Sequence, residues 1–409
     1  MLPTVVMAAW IGVASLGGAI PKTDVQEQNQ IFERFWGTDF VWKFDDLPAK
    51  GGASEERVPY SGAIYLDKYG GTASVLRKYD RAFHGGRMLA TAYEQWDTST
   101  FQEPVSQPGG LFGRRQVMRM GTPNWHGHCN GWAAATIRHA EPKQSVTRNG
   151  VVFSPADIKA LLAELYIYND VADLSGSNAN IQAGLFHAVV ANWLGRGAHP
   201  LGMEADPGRE KWNYPAFTFS SSSKKRSERQ VEVKLDLAYA KESQGEYQQS
   251  PRIQRTKSFH YRLDLNASGE IVGGEFYGDS ARIDMLWVPL CPKAPKQPGN
   301  ERGNPNIKVE TILAIWRDSV SEETRKQWLV ADPAREDRVT DTATVATLVP
   351  VQNPAAVPVS ARPAGRGTAA PPTAARAASP MPARSTEVPP ASSAMSTILG
   401  ETSARSAGN

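Results

Sequence analysis

Apolar residues recur at helical and at alternating spacings along this chain, and the two predict different elements. Ile158, Leu161, Leu162 and Leu165 follow the i, i+3, i+4, i+7 rule of a helix that buries one face. Ser154-Pro155-Ala156-Asp157 opens that helix, with Ser as cap, Pro at the first position and Asp three residues on. Shorter helices are expected over Val75 to Phe83 and Met88 to Trp96. Looser alternation over Phe35 to Phe44 predicts a strand or two. Further strands are read at Val231 to Leu237, Phe259 to Leu265, Ile271 to Tyr277 and Ile307 to Trp316. Asn149-Gly150 turns a hairpin over Gln144 to Phe153, Asn266 to Gly269 forms another turn, and Ser220 to Arg229 reads as a loop. Helices and antiparallel strands together predict an α+β fold.

The pattern also divides the chain. Residues 1–24 begin with an uncharged Ala/Gly-rich segment that suits a secretory signal, although its positive n-region is missing. An aromatic, mixed region at 25–120 is expected to pack on a catalytic core at 121–335 that carries a β-rich extension. Its aromatics are expected mainly as core rather than as a substrate groove. Beyond Trp328 no aromatic residue occurs, and 336–409, dominated by Ala, Pro, Ser, Thr and Arg, predicts a disordered tail.

Candidate chemistry centres on Asn124-Trp125-His126-Gly127-His128-Cys129-Asn130-Gly131-Trp132. The helix-compatible run after Cys129 places this residue at a helix N-terminus, where unpaired N–H groups favour a thiolate. A small buried hydrophobe and a disulfide to Cys291 are the competing readings. His126, His128, Cys129 and His139 lack the paired spacing of a structural zinc site, so no metal site is assigned.

Two short apolar runs, Phe186 to Leu194 and Pro200 to Asp206, flank Gly195-Arg196-Gly197 and predict a β-hairpin. Folding there would set His187 opposite Asp206, so that the carboxylate accepts a proton from the imidazole. Cys129 as nucleophile, His187 as base and Asp206 as orienter make an acyl-transfer constellation. The Cys129 backbone N–H and the side chain of Asn124 or Trp125 are candidate oxyanion donors.

Cys129-Asn130-Gly131-Trp132-Ala133-Ala134-Ala135, the segment Asn149 to Leu162, Phe186-His187 and Lys211-Trp212-Asn213-Tyr214-Pro215 resemble the transglutaminase-elicitor family of oomycetes and its bacterial relatives. That family belongs to the transglutaminase-like branch of the papain-like superfamily. The resemblance runs from about Trp125 to about Pro289. It implies a papain-like core with Cys129 at a helix start against a sheet carrying His187 and Asp206. It also implies a protein-glutamine γ-glutamyltransferase working through a thioester, with glutamine and amine donors on proteins as substrates. A cysteine peptidase or amidase on the same triad, and a noncatalytic protein- or cell-wall-binding domain, are the alternatives. Trp212-Asn213 is followed by Tyr214 rather than the family's Gln, which counts against an elicitor role.

Charge adds little, since the net charge is +3 with 21% charged residues. No long basic run points to nucleic acid, and no stable membrane insertion is expected. The chemistry requires no cofactor. Calcium at Asp279, Asp284 and nearby acids is conceivable, but no loop has EF-hand spacing. The first segment and the family's secreted members predict export, to the outside or the periplasm.

Overall fold

The computed structural model describes residues 18–325 except 100, 101, 110–112, 121, 178, 179, 207 and 209, with backbone alone over 102–109 and 113–120. The expected signal peptide falls largely, and the expected tail wholly, outside these residues.

The first part of the described chain is largely helical. Strand β1 (Gly18–Ala19) leads into α1 (Lys22–Trp36), which ends at Gly37 in the left-handed conformation (φ 63°) with its N–H on the Glu33 carbonyl. Ile31, Phe32 and Phe35 form its buried stripe. The expected strand over Phe35 to Phe44 is therefore a helix end followed by a connection. Its aromatics do pack as core, with the Phe32 ring edge-on to Phe40 and Trp193. After β2 (Lys50–Gly52) come α2 (Ala73–Phe83) and α3 (Leu89–Ser99), close to their expected bounds. The buried Asp80 carboxylate joins the two helices by accepting hydrogen bonds from the Ala90 and Thr91 amides and the Thr91 hydroxyl. That cap turns Glu94 and Asp97 inward.

A hairpin of β3 (Gln102–Gly109) and β4 (Gly113–Met120) precedes α4 (Cys129–Arg138). A second hairpin, β5 (Val146–Arg148) and β6 (Val151–Phe153), turns at Asn149-Gly150 as expected. Helix α5 (Pro155–Tyr166) begins with the complete capping box of Ser154 and Asp157. Gly131 lets α4 and α5 approach closely, since a Cβ there would overlap the Ala163 carbonyl.

The remainder, joined by β1 and β2, builds a nine-stranded antiparallel sheet on which two helices pack. Its elements are β7 (Val171–Asp173), α6 (Ala183–Val190), β8 (Leu201–Glu204), β9 (Asn213–Ser227), β10 (Gln230–Ala240), β11 (Gln254–Leu265), β12 (Ile271–Phe276) and β13 (Met285–Pro289), followed by α7 (Val309–Ser319). Strand order is β1-β12-β11-β10-β9-β8-β13-β7, with β2 pairing β9 beside β8. Helix α4 lies on β8, β9 and β13, and α6 lies on β11 and β12.

Three expectations are corrected here. Residues 186–196 form α6 and a π-helical continuation over Ala191–Arg196, not a hairpin. Every residue of α6 is buried, so its uninterrupted apolar run carried no period that separates a helix from a strand. The Gln182 side chain caps its start by accepting from the Gly184 and Leu185 amides. Ile307 to Trp316 lies mostly in α7, where Val309, Ile312, Leu313 and Trp316 are buried at helical spacing. The Ser220 to Arg229 loop is largely the outer half of β9, polar on both faces and kept extended by its ladder with β10.

Candidate functional site

Cys129 is the first residue of α4, as the run of small residues after it required. The thiol is buried and donates to the Lys211 carbonyl at 3.7 Å. Burial pushes the Cys129 thiol up, against the Asn213 backbone and side-chain amides, the Asn130 amide and the His128 charge, which all favour the thiolate. Asn213 is held in turn by Trp287 of β13, whose indole N–H donates to its Oδ1 at 3.0 Å. The Lys211 ammonium is tied to Glu204 at 2.8 Å and to Asp284. Cys129 and Cys291 are both free thiols, so the two do not form a disulfide.

The two other predicted triad members have different partners. His187 sits inside α6 rather than on a strand, and its Nδ1 meets the Tyr261 hydroxyl at 2.7 Å. Its ring lies against Phe44, and burial lowers its pKa to about 4. Asp206 follows β8, is half exposed and faces Lys257 at 3.5 Å. Among the described contacts, none joins Cys129, His187 and Asp206 to one another. The predicted opposition of His187 and Asp206 required the hairpin, and the helix removes it.

The two side-chain oxyanion candidates, Asn124 and Trp125, have other partners. The Asn124 carboxamide oxygen accepts from Lys68 at 3.3 Å, and the Trp125 ring packs edge-on against His126. Asn213 lies beside Cys129. It lies in the Trp212-Asn213 pair that carried part of the resemblance, so that segment does bear on the cysteine's surroundings.

A second cluster adjoins the first through the chain itself. His128, at the cap position before Cys129 and 1% exposed, has its Nε2 at 3.3 Å from Glu94 Oε1 of α3 and 3.2 Å from Glu164 Oε2 of α5. Its Nδ1 faces Asp67 Oδ1 at 3.5 Å, while Asp67 Oδ2 meets His126 at 2.8 Å. Burial alone would lower the His128 pKa, but the Glu94 charge and the contacts with Asp67, Glu164 and Glu94 raise it well above the ordinary imidazole value. Burial and the Glu164 charge push the Glu94 carboxyl up in return. The Thr72 amide donates to Glu94, the Thr72 hydroxyl to Glu164 at 2.7 Å, and Asn304 to the second Glu164 oxygen. Glu94, His128 and Glu164 offer ligand atoms within 4.8 Å of one another and could coordinate a divalent cation. No metal site is legible from spacing in the sequence, because Glu94, His128 and Glu164 lie on three separate elements. By contrast, His139 bonds the Tyr166 hydroxyl, and Asp279 bonds His260.

Residues 112–178 match the family model described as Transglutaminase elicitor. No curated protein matches the chain. Among solved structures, the GP42 transglutaminase from Phytophthora sojae is similar, with a TM-score of 0.57 and 22% identity over 74% of this chain and 99% of that one. At that identity the likeness establishes the fold. The matched segment contains α4 with Cys129 and His128, and α5 with Glu164. Residues 112–178 are thus similar in sequence to the transglutaminase-elicitor family, and the fold over most of the chain is similar to that of the GP42 transglutaminase.

Proposed function

We propose that the chain is a noncatalytic, protein-binding member of this family. The observation that supports this reading is that the expected catalytic residues have different partners: Cys129 bonds a carbonyl, His187 a tyrosine and Asp206 a lysine. A buried thiol whose pKa is raised and whose hydrogen-bond partner among the described residues is the Lys211 carbonyl is a weak nucleophile. The neutral His187 imidazole sits inside a helix, where it serves packing.

A second reading is favoured by Cys129 at the start of α4 beside the Asn213 amides, a setting suited to a thiolate or an oxyanion. In that reading the chain is a protein-glutamine γ-glutamyltransferase. Sulfur attacks the glutamine carboxamide carbon, ammonia leaves with a proton, and a lysine amine opens the thioester to give the crosslink. Water in place of the amine gives an amidase, and a peptide bond in place of the carboxamide gives a peptidase. The triad form of this reading requires His187 to leave Tyr261 and approach Cys129 and Asp206.

One experiment separates the readings. Casein is incubated with a primary-amine probe and either the wild-type chain or Cys129→Ala, with and without calcium, and analysed by mass spectrometry. Retention on immobilised casein is measured alongside. Equal retention of both chains with unmodified casein is expected. Probe on glutamine with the wild type alone would establish acyl transfer through Cys129, and deamidated or cut casein without probe would establish a hydrolase. Absence of both modification and retention would remove the protein-binding reading.

A further inference from the structure

Beyond the function proposed above, we infer that Glu94, His128 and Glu164 form a binding site for one borderline first-row divalent cation, zinc foremost, oriented from behind by Asp67. The argument begins with geometry. Zinc bonds of about 2.0–2.2 Å to nitrogen and carboxylate oxygen set tetrahedral ligand atoms roughly 3.3–3.5 Å apart. His128 Nε2 stands 3.3 Å from Glu94 Oε1 and 3.2 Å from Glu164 Oε2, so both edges that meet at the histidine have nearly this length.

The surroundings of the imidazole supply an independent observation. A metal-bound histidine commonly presents its other ring nitrogen to a carboxylate, which fixes the tautomer and ring orientation. Here His128 Nδ1 and Asp67 Oδ1 face each other at 3.5 Å, both deeply buried, and neither makes any other hydrogen bond. Asp67 is itself anchored by His126. With Nδ1 protonated towards Asp67, Nε2 presents its lone pair to the space shared by the two glutamates.

Charge and space agree with this assignment. Glu94 and Glu164 are both nearly inaccessible to water, and a divalent cation would balance the two charges that these carboxylates carry. Gly71, at φ 54°, brings its backbone against the cluster; a Cβ there would overlap Glu94 Oε1 and come within 3.0 Å of His128 Cε1. The nitrogen ligand and the small ligand set disfavour calcium, which takes six to eight oxygens.

The full chain, stripped with chelator and dialysed against equal concentrations of Zn2+, Mn2+ and Ca2+, provides the test. Elemental analysis is expected to find about one zinc or manganese per chain and no stoichiometric calcium, with a higher melting temperature on zinc addition. X-ray absorption of the zinc-loaded chain should show one imidazole and oxygen ligands without sulfur. A Glu94→Gln variant with native circular dichroism should lose at least tenfold in zinc affinity. Should that variant fail to fold, the absorption spectrum of the wild type decides by its ligand set. Absence of stoichiometric uptake would overturn the proposal and leave His128 as a protonated clamp between the two glutamates. Calcium uptake in place of zinc, a sulfur ligand, or unchanged zinc affinity in folded Glu94→Gln would each overturn it as well.

Discussion

His128 and His187 are both almost completely buried, yet their pKa values move in opposite directions. His128 lies among Asp67, Glu94 and Glu164, and these carboxylates outweigh the cost of burying its charge. His187 meets only a tyrosine hydroxyl and aromatic rings, so burial acts unopposed and lowers its pKa to about 4. Burial alone therefore does not predict the state of a histidine; the charges brought to it decide whether burial prevails. The contrast also separates two regions of the fold. The start of α4 gathers polar groups from the Asp67 segment, α3, α5 and the start of β9, while α6 is a packing element throughout.

Removing His128 tests the first half of this contrast most severely. His128→Ala would leave Glu94 and Glu164 buried without a compensating charge, and a loss of about 3–5 kcal/mol is expected by denaturant unfolding. A loss below about 1 kcal/mol would mean that the carboxylates find water or other partners, and the contrast would disappear.

Acid titration of stability addresses the second half. Because the folded-state pKa of His187 lies below the unfolded value of about 6.5, the unfolded chain takes up the proton first. Stability from this group is therefore complete above pH 6.5 and declines as pH falls towards 4. At about 1.4 kcal/mol per pKa unit, the decline amounts to roughly 3 kcal/mol. His187→Gln should flatten this part of the stability–pH curve, and an unchanged slope would show that His187 is not its source.

Smaller effects sharpen the contrast between regions. Asn213→Ala strands the Trp287 indole N–H and removes an amide beside Cys129. A cost of about 1–2 kcal/mol is expected, together with slower alkylation of Cys129 at a fixed pH, measured with iodoacetamide. Asp206→Asn, at a half-exposed site that pairs with Lys257 among the described residues, should alter stability by less than about 0.5 kcal/mol. A large loss there would reveal a structural role for Asp206 that its contacts with the described residues do not suggest.

Local signals in the sequence determined several elements outright. The Ser154 to Asp157 capping box, the Asn149-Gly150 hairpin and the start of α4 at Cys129 depend on neighbours within a few residues, and a single sequence carries that information. The α+β class followed from the same local periods. Tertiary structure decided the rest. A fully buried helix such as α6 has no polar face, so its apolar run could not be told from a strand, and the outer half of β9 is extended because β10 pairs with it. The surroundings of Cys129 and His128 depended on more distant packing, which brings Asn213 84 residues from Cys129 in sequence, Glu94 34 residues and Glu164 36 residues from His128. No local rule encodes those distances; they are set by how α3, α4, α5 and the sheet pack around one core.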